Sequence, residues 1–158
     1  MDYLKIKEGA QVPDITVEDQ HGKPVSLRDF AGQKVILFFY PQDDTPTCTQ
    51  EACNMRDNHG FWLEKGYQVV GVSRDSAKSH RKFIEKFQLP YPILADTERK
   101  LIDAFGLWGE KLLFGNRVMG TYRTTFVVDE KGMITHIVPE VKSRDHTTQL
   151  MEVLGIKN

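Results

Sequence analysis

Residues 34–57 read KVILFFYPQDDTPTCTQEACNMRD and give the strongest indication of the fold. This stretch begins with an almost wholly apolar run, KVILFFY, of a length typical of a β-strand that is covered on both faces. Two prolines then mark a turn, and a segment without further breakers predicts a helix. Both cysteines of the chain, Cys48 and Cys53, lie in that segment. A buried strand that leads into a helix indicates an α/β protein.

The segments around this stretch continue the alternation of strands and helices. The sequence ITVEDQHGKPVSL (15–27) has a turn signal, His21-Gly22, between two β-prone stretches and predicts a hairpin. The helix after the turn is expected from Thr47 to Lys65, with Gly66 ending it. The remaining elements are predicted as a buried strand (67–73), an amphipathic helix (76–89) stopped by Pro90, a short strand (91–95) and a short helix (98–105).

The last third of the chain completes the predicted sheet. Residues 106–122 contain four glycines and show no clear period, so we expect a long loop there. Residues 123–138 predict two strands around the turn 129–132, and residues 145–156 predict a closing helix. Together these elements predict one thioredoxin-like domain over residues 1–158. It has a central mixed sheet flanked by helices and an N-terminal β-hairpin.

Composition and charge exclude several classes of function. The chain is 40% apolar and 27% charged, with a net charge of -1. Scattered charge of both signs gives no electrostatic footprint for nucleic acid or for an anionic membrane. The first residues lack the pattern of a signal peptide, and no apolar run approaches the ~20 residues of a membrane span. We therefore expect a cytoplasmic protein, in which two thiols are inert, metal-binding or redox-active.

The position of Cys48 favours a reactive thiol. A thiol in the first turn of a helix feels the positive end of the helix dipole and free backbone N–H groups, which favour thiolate. Lowering a thiol pKa from about 8.5 to about 6 requires ~3.4 kcal/mol. A helix terminus supplies ~0.3–1 kcal/mol, and up to ~2 kcal/mol in favourable geometry. The dipole is therefore insufficient, and a cation is expected from elsewhere in the chain.

The motif PQDDTPTC resembles a known family signature. Pro41, Thr45 and Cys48 reproduce the Pro-x-x-x-Thr-x-x-Cys signature of the peroxiredoxins. The second cysteine, five residues on, is similar to the subgroup called bacterioferritin comigratory protein, or peroxiredoxin Q. The resemblance extends over nearly the whole chain, through GAQVPDITVEDQHGKPVSLRDF (9–30), VVGVSRDSAKSHRKF (69–83), FGLWGEK (105–111) and TYRTTFVVDEKG (121–132).

The resemblance implies a thiol peroxidase and assigns roles to its residues. Cys48 would be the peroxidatic nucleophile, Cys53 the resolving thiol that forms an intramolecular disulfide with it, and Arg123 the missing cation. The substrates would be hydrogen peroxide and organic hydroperoxides, and thioredoxin or a similar dithiol would recycle the enzyme. No cofactor is implied, and we expect a monomer or a weak dimer. Arg74 departs from the family pattern, which leaves open an extra charge near the site.

Each implied role is chemically reasonable. Thiolate attack breaks the O–O bond, so hydrogen-bond donors aimed at the leaving oxygen accelerate the step. Arg123 offers fixed donors and a permanent charge, and the Thr45 hydroxyl both accepts and donates. The backbone N–H groups of Thr47 and Cys48 complete the predicted cradle, and Pro41 would shape the turn and limit access of water.

Each residue also has a plain structural interpretation. Thr45 followed by proline is a good helix N-cap, Pro41 suits a turn, and Arg123 suits an exposed strand end. A lone cysteine is more often a small core residue than a nucleophile. The combination, together with the resemblance, favours catalysis. The predicted long loop contains three large apolar residues, Trp108, Phe114 and Met119. They could form an apolar collar over the sulfur or simply pack the loop, and both alternatives stay open.

Other functions were weighed against peroxidase activity. A metal site is not predicted, because the cysteines and the scattered histidines lack ligand spacing. A redox-sensing or chaperone protein on the same fold would not need donors for a leaving oxygen. A thiol–disulfide oxidoreductase would be expected to carry Cys-x-x-Cys.

The spacing of the two cysteines also predicts a conformational change. Five residues on an α-helix place Cα atoms ~8.6 Å apart, with side chains ~140° apart around the axis. A disulfide needs Cα atoms within about 6.8 Å. If both cysteines are helical when reduced, the segment 46–54 must unwind before they can bond.

Overall fold

Strands and helices alternate along the chain much as the apolar pattern predicts. The structure, a computed structural model, describes residues 3–157. The strands are β1 (Thr16–Glu18), β2 (Pro24–Ser26), β3 (Lys34–Phe39), β4 (Tyr67–Ser73), β5 (Ile93–Ala95), β6 (Trp108–Leu113), β7 (Asn116–Thr121), β8 (Thr124–Val128) and β9 (Ile134–Val138). The α-helices are α1 (Pro46–Asp57), α2 (His59–Glu64), α3 (Ala77–Phe87), α4 (Lys100–Phe105) and α5 (His146–Leu154), and short 3₁₀ helices span Leu27–Phe30 and Ser143–Asp145.

Seven strands form one mixed sheet. Their order is β2-β1-β5-β4-β3-β8-β9. The central strands β3, β4 and β5 are parallel, whereas β8 and β9 add antiparallel on one side and the β1–β2 hairpin adds antiparallel on the other. The structure thus confirms the predicted mixed sheet, its N-terminal hairpin and its C-terminal hairpin.

Helices cover both faces of this sheet. Along β3 and the residue after it, alternate side chains enter two separate core layers, because successive residues of a strand point to opposite faces. One layer contains Val35, Leu37 and Phe39 together with residues of α4, and the other contains Ile36, Phe38 and Tyr40 together with residues of α1, α2, α3 and α5. Burial on both faces explains why this strand reads as a continuous apolar run.

The predicted helix over residues 47–65 is two helices. α1 ends at Asp57 and α2 begins at His59, with Asn58 between them. The side-chain amide of Asn58 donates to the carbonyl of Asn54 at 2.8 Å, a local bond that competes with a continuous helix. Gly66 follows α2 with a φ of 85°, which confirms its predicted place after the helix end. No helix in the described part of the chain is long and apolar enough to cross a membrane.

The prediction of a long loop over residues 106–122 is wrong. The segment forms a separate two-stranded sheet, the β6–β7 hairpin. Its turn residues, Phe114 and Gly115, both have positive φ, as in a type I′ turn, but phenylalanine is not a residue that signals this turn. Apolar side chains at the hairpin tip stay exposed, including Phe114 at 95%. Because no core layer imposes a period on it, the hairpin has no alternating apolar pattern.

Candidate active site

Cys48 lies at the beginning of α1, at the carboxyl end of a central strand. β3 leads into a loop of residues 40–45, Pro46 is the first residue of α1, and Cys48 is the third. The thiol is free and 2% exposed. The first N–H groups of a helix have no intrahelical acceptor, so those of Thr47 and Cys48 are directed at this end of the helix. The site therefore combines a buried sulfur with the positive end of a helix dipole.

Arg123 lies against the Cys48 sulfur. It sits between β7 and β8, and its Nη2 donates to Sγ of Cys48 at 3.1 Å. Its Nη1 donates to Oε1 of Glu51 at 2.6 Å. Burial opposes the charge of Arg123, but the attraction of Glu51 and Cys48 raises its pKa, so the guanidinium stays charged. Arg123 is therefore a cation in direct contact with the sulfur, as expected from the insufficiency of the helix dipole alone.

The other predicted residues surround this pair at different distances from the chemistry. Thr45 is at the N-cap position, yet its side chain makes no capping bond and its hydroxyl donates to the carbonyl of Gln42 at 3.0 Å. Its oxygen lone pairs remain available as acceptors. Pro41 is half-buried in the same loop. Cys53 is half-buried in the middle of α1, and burial raises the pKa of its thiol.

Glu51 belongs to the site although the sequence analysis did not identify it. Its side chain is fully buried, and its Oε2 has no hydrogen-bond partner among residues 3–157. Burial raises its pKa to about 7, against the opposing effect of Arg123. Oε2 faces Nε2 of His146 at 3.7 Å. Burial also lowers the pKa of His146 to about 4, so a neutral ring lies beside the carboxyl. Glu51 follows Cys48 by three residues, a spacing that puts both on one helix face and could have revealed it.

Lys111 on the β6–β7 hairpin is a second cation near the sulfur. Its ammonium donates to the carbonyl of Thr121 at 2.9 Å, two residues before Arg123. Its stem lies over Gly120, where an added Cβ would meet Lys111 Cδ at 3.1 Å. Burial and the charge of Arg123 lower the pKa of Lys111, whereas the Cys48 charge raises it. No sequence pattern marks Lys111, because its segment shows no clear period and is predicted as a loop.

The structure places the remaining candidates away from the sulfur contacts. The guanidinium of Arg74 lies over the Trp108 ring at 4.8 Å, and that of Arg99 lies over the same ring at 4.3 Å. Arg74 is therefore engaged with Trp108. Phe114 and Met119 are 95% and 58% exposed. Two alternatives were open for this segment, an apolar collar over the sulfur and simple packing of the loop. These contacts and exposures favour neither.

One group of side chains has the composition of a metal site. Asp43, Asp75 and His80 bring one ligand-type atom each within 4.8 Å of one another. Each of these atoms already takes part in hydrogen bonds within the protein. We assign no metal or cofactor to them.

Comparison with known proteins identifies the family of the chain. The sequence profile described as the AhpC/TSA family matches residues 9–137. The chain is 40% identical over 151 residues to peroxiredoxin Bcp of Bacillus subtilis, covering 96% of each protein. It is 37% identical over 141 residues to peroxiredoxin Bcp of Escherichia coli, covering 89% of this chain and 90% of that one. The fold matches the bacterioferritin comigratory protein of Xanthomonas campestris, studied for alkyl peroxide reduction, with a TM-score of 0.84 at 30% identity over 96% and 97% of the two chains. A buried thiol at a helix start, an arginine on its sulfur and these likenesses lead to one conclusion: the chain belongs to the AhpC/TSA family, as a thioredoxin-fold peroxiredoxin of the Bcp and peroxiredoxin Q kind.

Proposed function

We propose that this peroxiredoxin reduces hydrogen peroxide and organic hydroperoxides with Cys48 as the attacking thiolate. The observation that carries the proposal is the 3.1 Å bond from Arg123 Nη2 to the Cys48 sulfur. A guanidinium in this place favours the thiolate and supplies a fixed donor beside the attacked peroxide. Thr45, Pro41 and the N–H groups at the start of α1 form the rest of the peroxide site.

The first step oxidises Cys48. Its thiolate attacks one peroxide oxygen while the O–O bond breaks, and the sulfur becomes a sulfenic acid. The other oxygen leaves as hydroxide or alkoxide and takes up a proton to become water or an alcohol. Arg123 and the backbone donors stabilise the negative charge that develops on this oxygen.

The second step forms a disulfide with Cys53. The Cys53 sulfur attacks the sulfenic sulfur, the S–S bond forms and water leaves. Both cysteines are helical and free in the structure, so the ~8.6 Å separation estimated for an intact helix applies. The segment 46–54 must therefore unwind first. Unwinding also removes the burial that raises the pKa of Cys53, so the resolving thiol ionises more readily once exposed.

The reductant completes the cycle. Thioredoxin or a similar dithiol would reduce the exposed disulfide and become oxidised itself. We propose that the chain works as a single cytoplasmic domain over residues 1–158, as a monomer or a weak dimer, without nucleic-acid or membrane partners.

The assignment of the two thiols is tested by single-turnover and steady-state kinetics. Cys48→Ser should abolish peroxide consumption. Cys53→Ser should keep the first attack on peroxide and lose turnover with thioredoxin and its reductase. Quenched-flow detection of the sulfenic acid separates the two steps. Equal loss of the first step in both variants would refute the assignment.

The unwinding of α1 is tested separately by amide hydrogen exchange on the reduced and the oxidised protein. We expect protection over residues 46–54 in the reduced form and its loss after oxidation, because opening a helix end costs far less than global unfolding. An oxidised protein with a Cys48–Cys53 bond and full protection of this segment would contradict the proposal.

A further inference from the structure

A buried polar cluster lies beneath the loop that carries Thr45 and Pro41. Its centre is Asp43, the middle residue between those two, with a side chain only 5% exposed. We call it the anchor cluster; its members come from the loop, from the end of β4 and its following turn, and from the start of α3: Tyr40, Asp43, Ser73, Asp75, Ser79 and His80. The proposed reaction uses none of them directly.

Asp43 is held by both its side chain and its backbone. Its Oδ1 accepts from the Tyr40 hydroxyl at 2.5 Å. Its Oδ2 accepts from the Ser79 hydroxyl at 2.7 Å and lies 2.7 Å from Nδ1 of His80. Its backbone N–H donates to Oδ2 of Asp75 at 2.9 Å, an oxygen that also accepts from Ser73 at 2.6 Å. One loop residue is thereby tied to the preceding strand, to the end of β4 and to α3.

The hydrogen-bond partners define where the protons lie. Nε2 of His80 faces the carbonyl of Leu94 at 3.0 Å, which can only accept, so Nε2 carries a proton. A further proton lies between Nδ1 and Oδ2 of Asp43. Burial, and then the nearby Asp43 charge, raise the pKa of Tyr40, so its phenol stays a donor. Both carboxylate oxygens and the backbone N–H of Asp43 are therefore matched by partners.

Asp43 is the buried residue of a loop whose neighbouring residues, Gln42 and Asp44, are exposed. Replacing buried polar groups by apolar ones of similar shape is often neutral or stabilising, whereas a fully satisfied network fixes one geometry. The loop has few other fixed points. Asp44, the next residue, has a φ of 57° and a side chain paired with Lys86 on the surface. The Thr45 hydroxyl donates only to the carbonyl of Gln42, and the Thr45 carbonyl accepts from the N–H of Thr49 at 2.8 Å, at the start of α1. Asp43 is thus the residue that ties the loop before α1 to the rest of the fold, two positions from the Thr45 hydroxyl.

We propose that Asp43, through His80, Ser79 and Asp75, is a positioning residue that holds the loop so that the Thr45 hydroxyl and the first N–H groups of α1 face the peroxide. The proposal rests on the proposed function of Cys48. Arg123, between β7 and β8, donates to Cys48 and Glu51, and among the described residues it makes no hydrogen bond to the anchor cluster. Loss of the anchor should therefore misplace the peroxide donors and leave the thiolate with its cation.

Two reactions of Cys48 distinguish positioning from general stability. Reaction with hydrogen peroxide needs the donors of the loop, whereas alkylation by iodoacetamide needs only the thiolate. Both rates are measured in single turnover in a Cys53→Ser background, so that one thiol reacts. We expect Asp43→Ala to slow the peroxide reaction about a hundredfold, the loss that a misplacement of 1 Å can cause. The alkylation rate and its pH profile should change less than about threefold.

Three further variants sharpen the test. Asp43→Asn should restore most of the peroxide rate, because its amide can donate to a neutral His80 ring and to Ser79 while its oxygen still accepts from Tyr40. His80→Phe should reproduce the loss of Asp43→Ala and serves if that variant does not fold. Asp44→Ala, a change of the exposed neighbour in the same loop, should react as the parent does.

The outcomes separate this proposal from the proposed function. The positioning role is overturned if the alanine and phenylalanine variants keep the parent peroxide rate, if they lose both reactions equally, or if Asp43→Asn is as slow as Asp43→Ala. A parent protein whose Cys48 fails to react with peroxide would instead overturn the proposed function itself.

Discussion

The first turns of α1 and the β6–β7 hairpin both approach Arg123, but different forces hold them in place. In α1, Cys48 is 2% exposed and Glu51 is fully buried in a core layer and an ion pair. In the hairpin, Leu112 is 74% exposed and the strands are joined to each other by their own cross-strand pairs. A change in α1 should therefore affect both stability and chemistry. A change in the hairpin should affect chemistry chiefly through Lys111, whose charge interacts with those of Arg123 and Cys48.

The largest effect is expected where the two regions meet, at Arg123. Arg123→Met keeps much of the side-chain volume but removes the donor to Cys48 and the partner of Glu51. Because one preorganised donor is worth about a hundred- to a thousandfold in rate, the peroxide reaction should slow by that factor. Alkylation of Cys48 at a fixed pH should also slow, because the sulfur loses its contact with the guanidinium, and stopped-flow rates measure both effects.

A second variant guards this experiment against misfolding. Removing Arg123 leaves the Glu51 carboxyl buried without its cation, which is costly if the carboxyl ionises. The double variant Arg123→Met/Glu51→Gln removes that charge and should recover stability while the peroxide reaction stays slow. A peroxide rate within threefold of the wild type in either variant would show that the bond to the sulfur has no catalytic role.

The buried groups around α1 give the stability of the protein a distinct pH dependence. The pKa of Glu51 is about 7 in the folded protein, above its ordinary 4.5, so the folded state holds a proton that the unfolded state loses. Its stabilising contribution is therefore full below about 4.5 and is lost as the pH rises through about 7. His146 acts in the opposite sense, because its lowered pKa of about 4 makes stability rise with pH from about 4 to about 6.5.

The variant Glu51→Gln separates the contribution of the Glu51 carboxyl to stability from that of His146. The two contributions oppose each other in the wild type, so the difference in free energy of unfolding between variant and wild type reports Glu51 alone. We expect this difference to grow in favour of the variant by about 3 kcal/mol between pH 4.5 and pH 8. Urea unfolding at four pH values measures it. A difference for Glu51→Gln that stays flat with pH would disprove the buried titration.

The same comparison explains what the sequence could predict. Buried elements leave clear patterns in the sequence. The apolar run before Tyr40 predicts β3 correctly, and the glycine at position 66 predicts the end of α2 correctly. The motif residues Thr45, Cys48 and Arg123 could be identified because a resemblance joins positions far apart in the chain. Lys111 and His146 reach the site only through tertiary contacts, and no local pattern marks such contacts. The β6–β7 hairpin could not be predicted, because its exposed side chains pack against no core layer and show no alternating apolar pattern.

The smallest effect is expected from Lys111, a hairpin cation whose charge interacts with those of Arg123 and Cys48. Lys111→Met keeps the stem that lies over Gly120 and removes the ammonium that donates to Thr121. Attraction between the ammonium and the Cys48 thiolate is mutual, so its loss should disfavour the thiolate and slow the peroxide reaction about three- to tenfold, or ~1 kcal/mol. Stability should fall by about 0.5–1.5 kcal/mol, because the change removes the hydrogen bond from the half-buried ammonium to the carbonyl of Thr121. Lys111→Arg should keep most of the rate, since it preserves the charge.

Arg117→Met is the matched control, because Arg117 is a cation of the same hairpin whose side chain is 77% exposed and faces Glu110 at 3.5 Å. If Lys111→Met and Arg117→Met slow the reaction equally, the effect comes from the net charge of the hairpin, and the hairpin directs no specific cation at the sulfur.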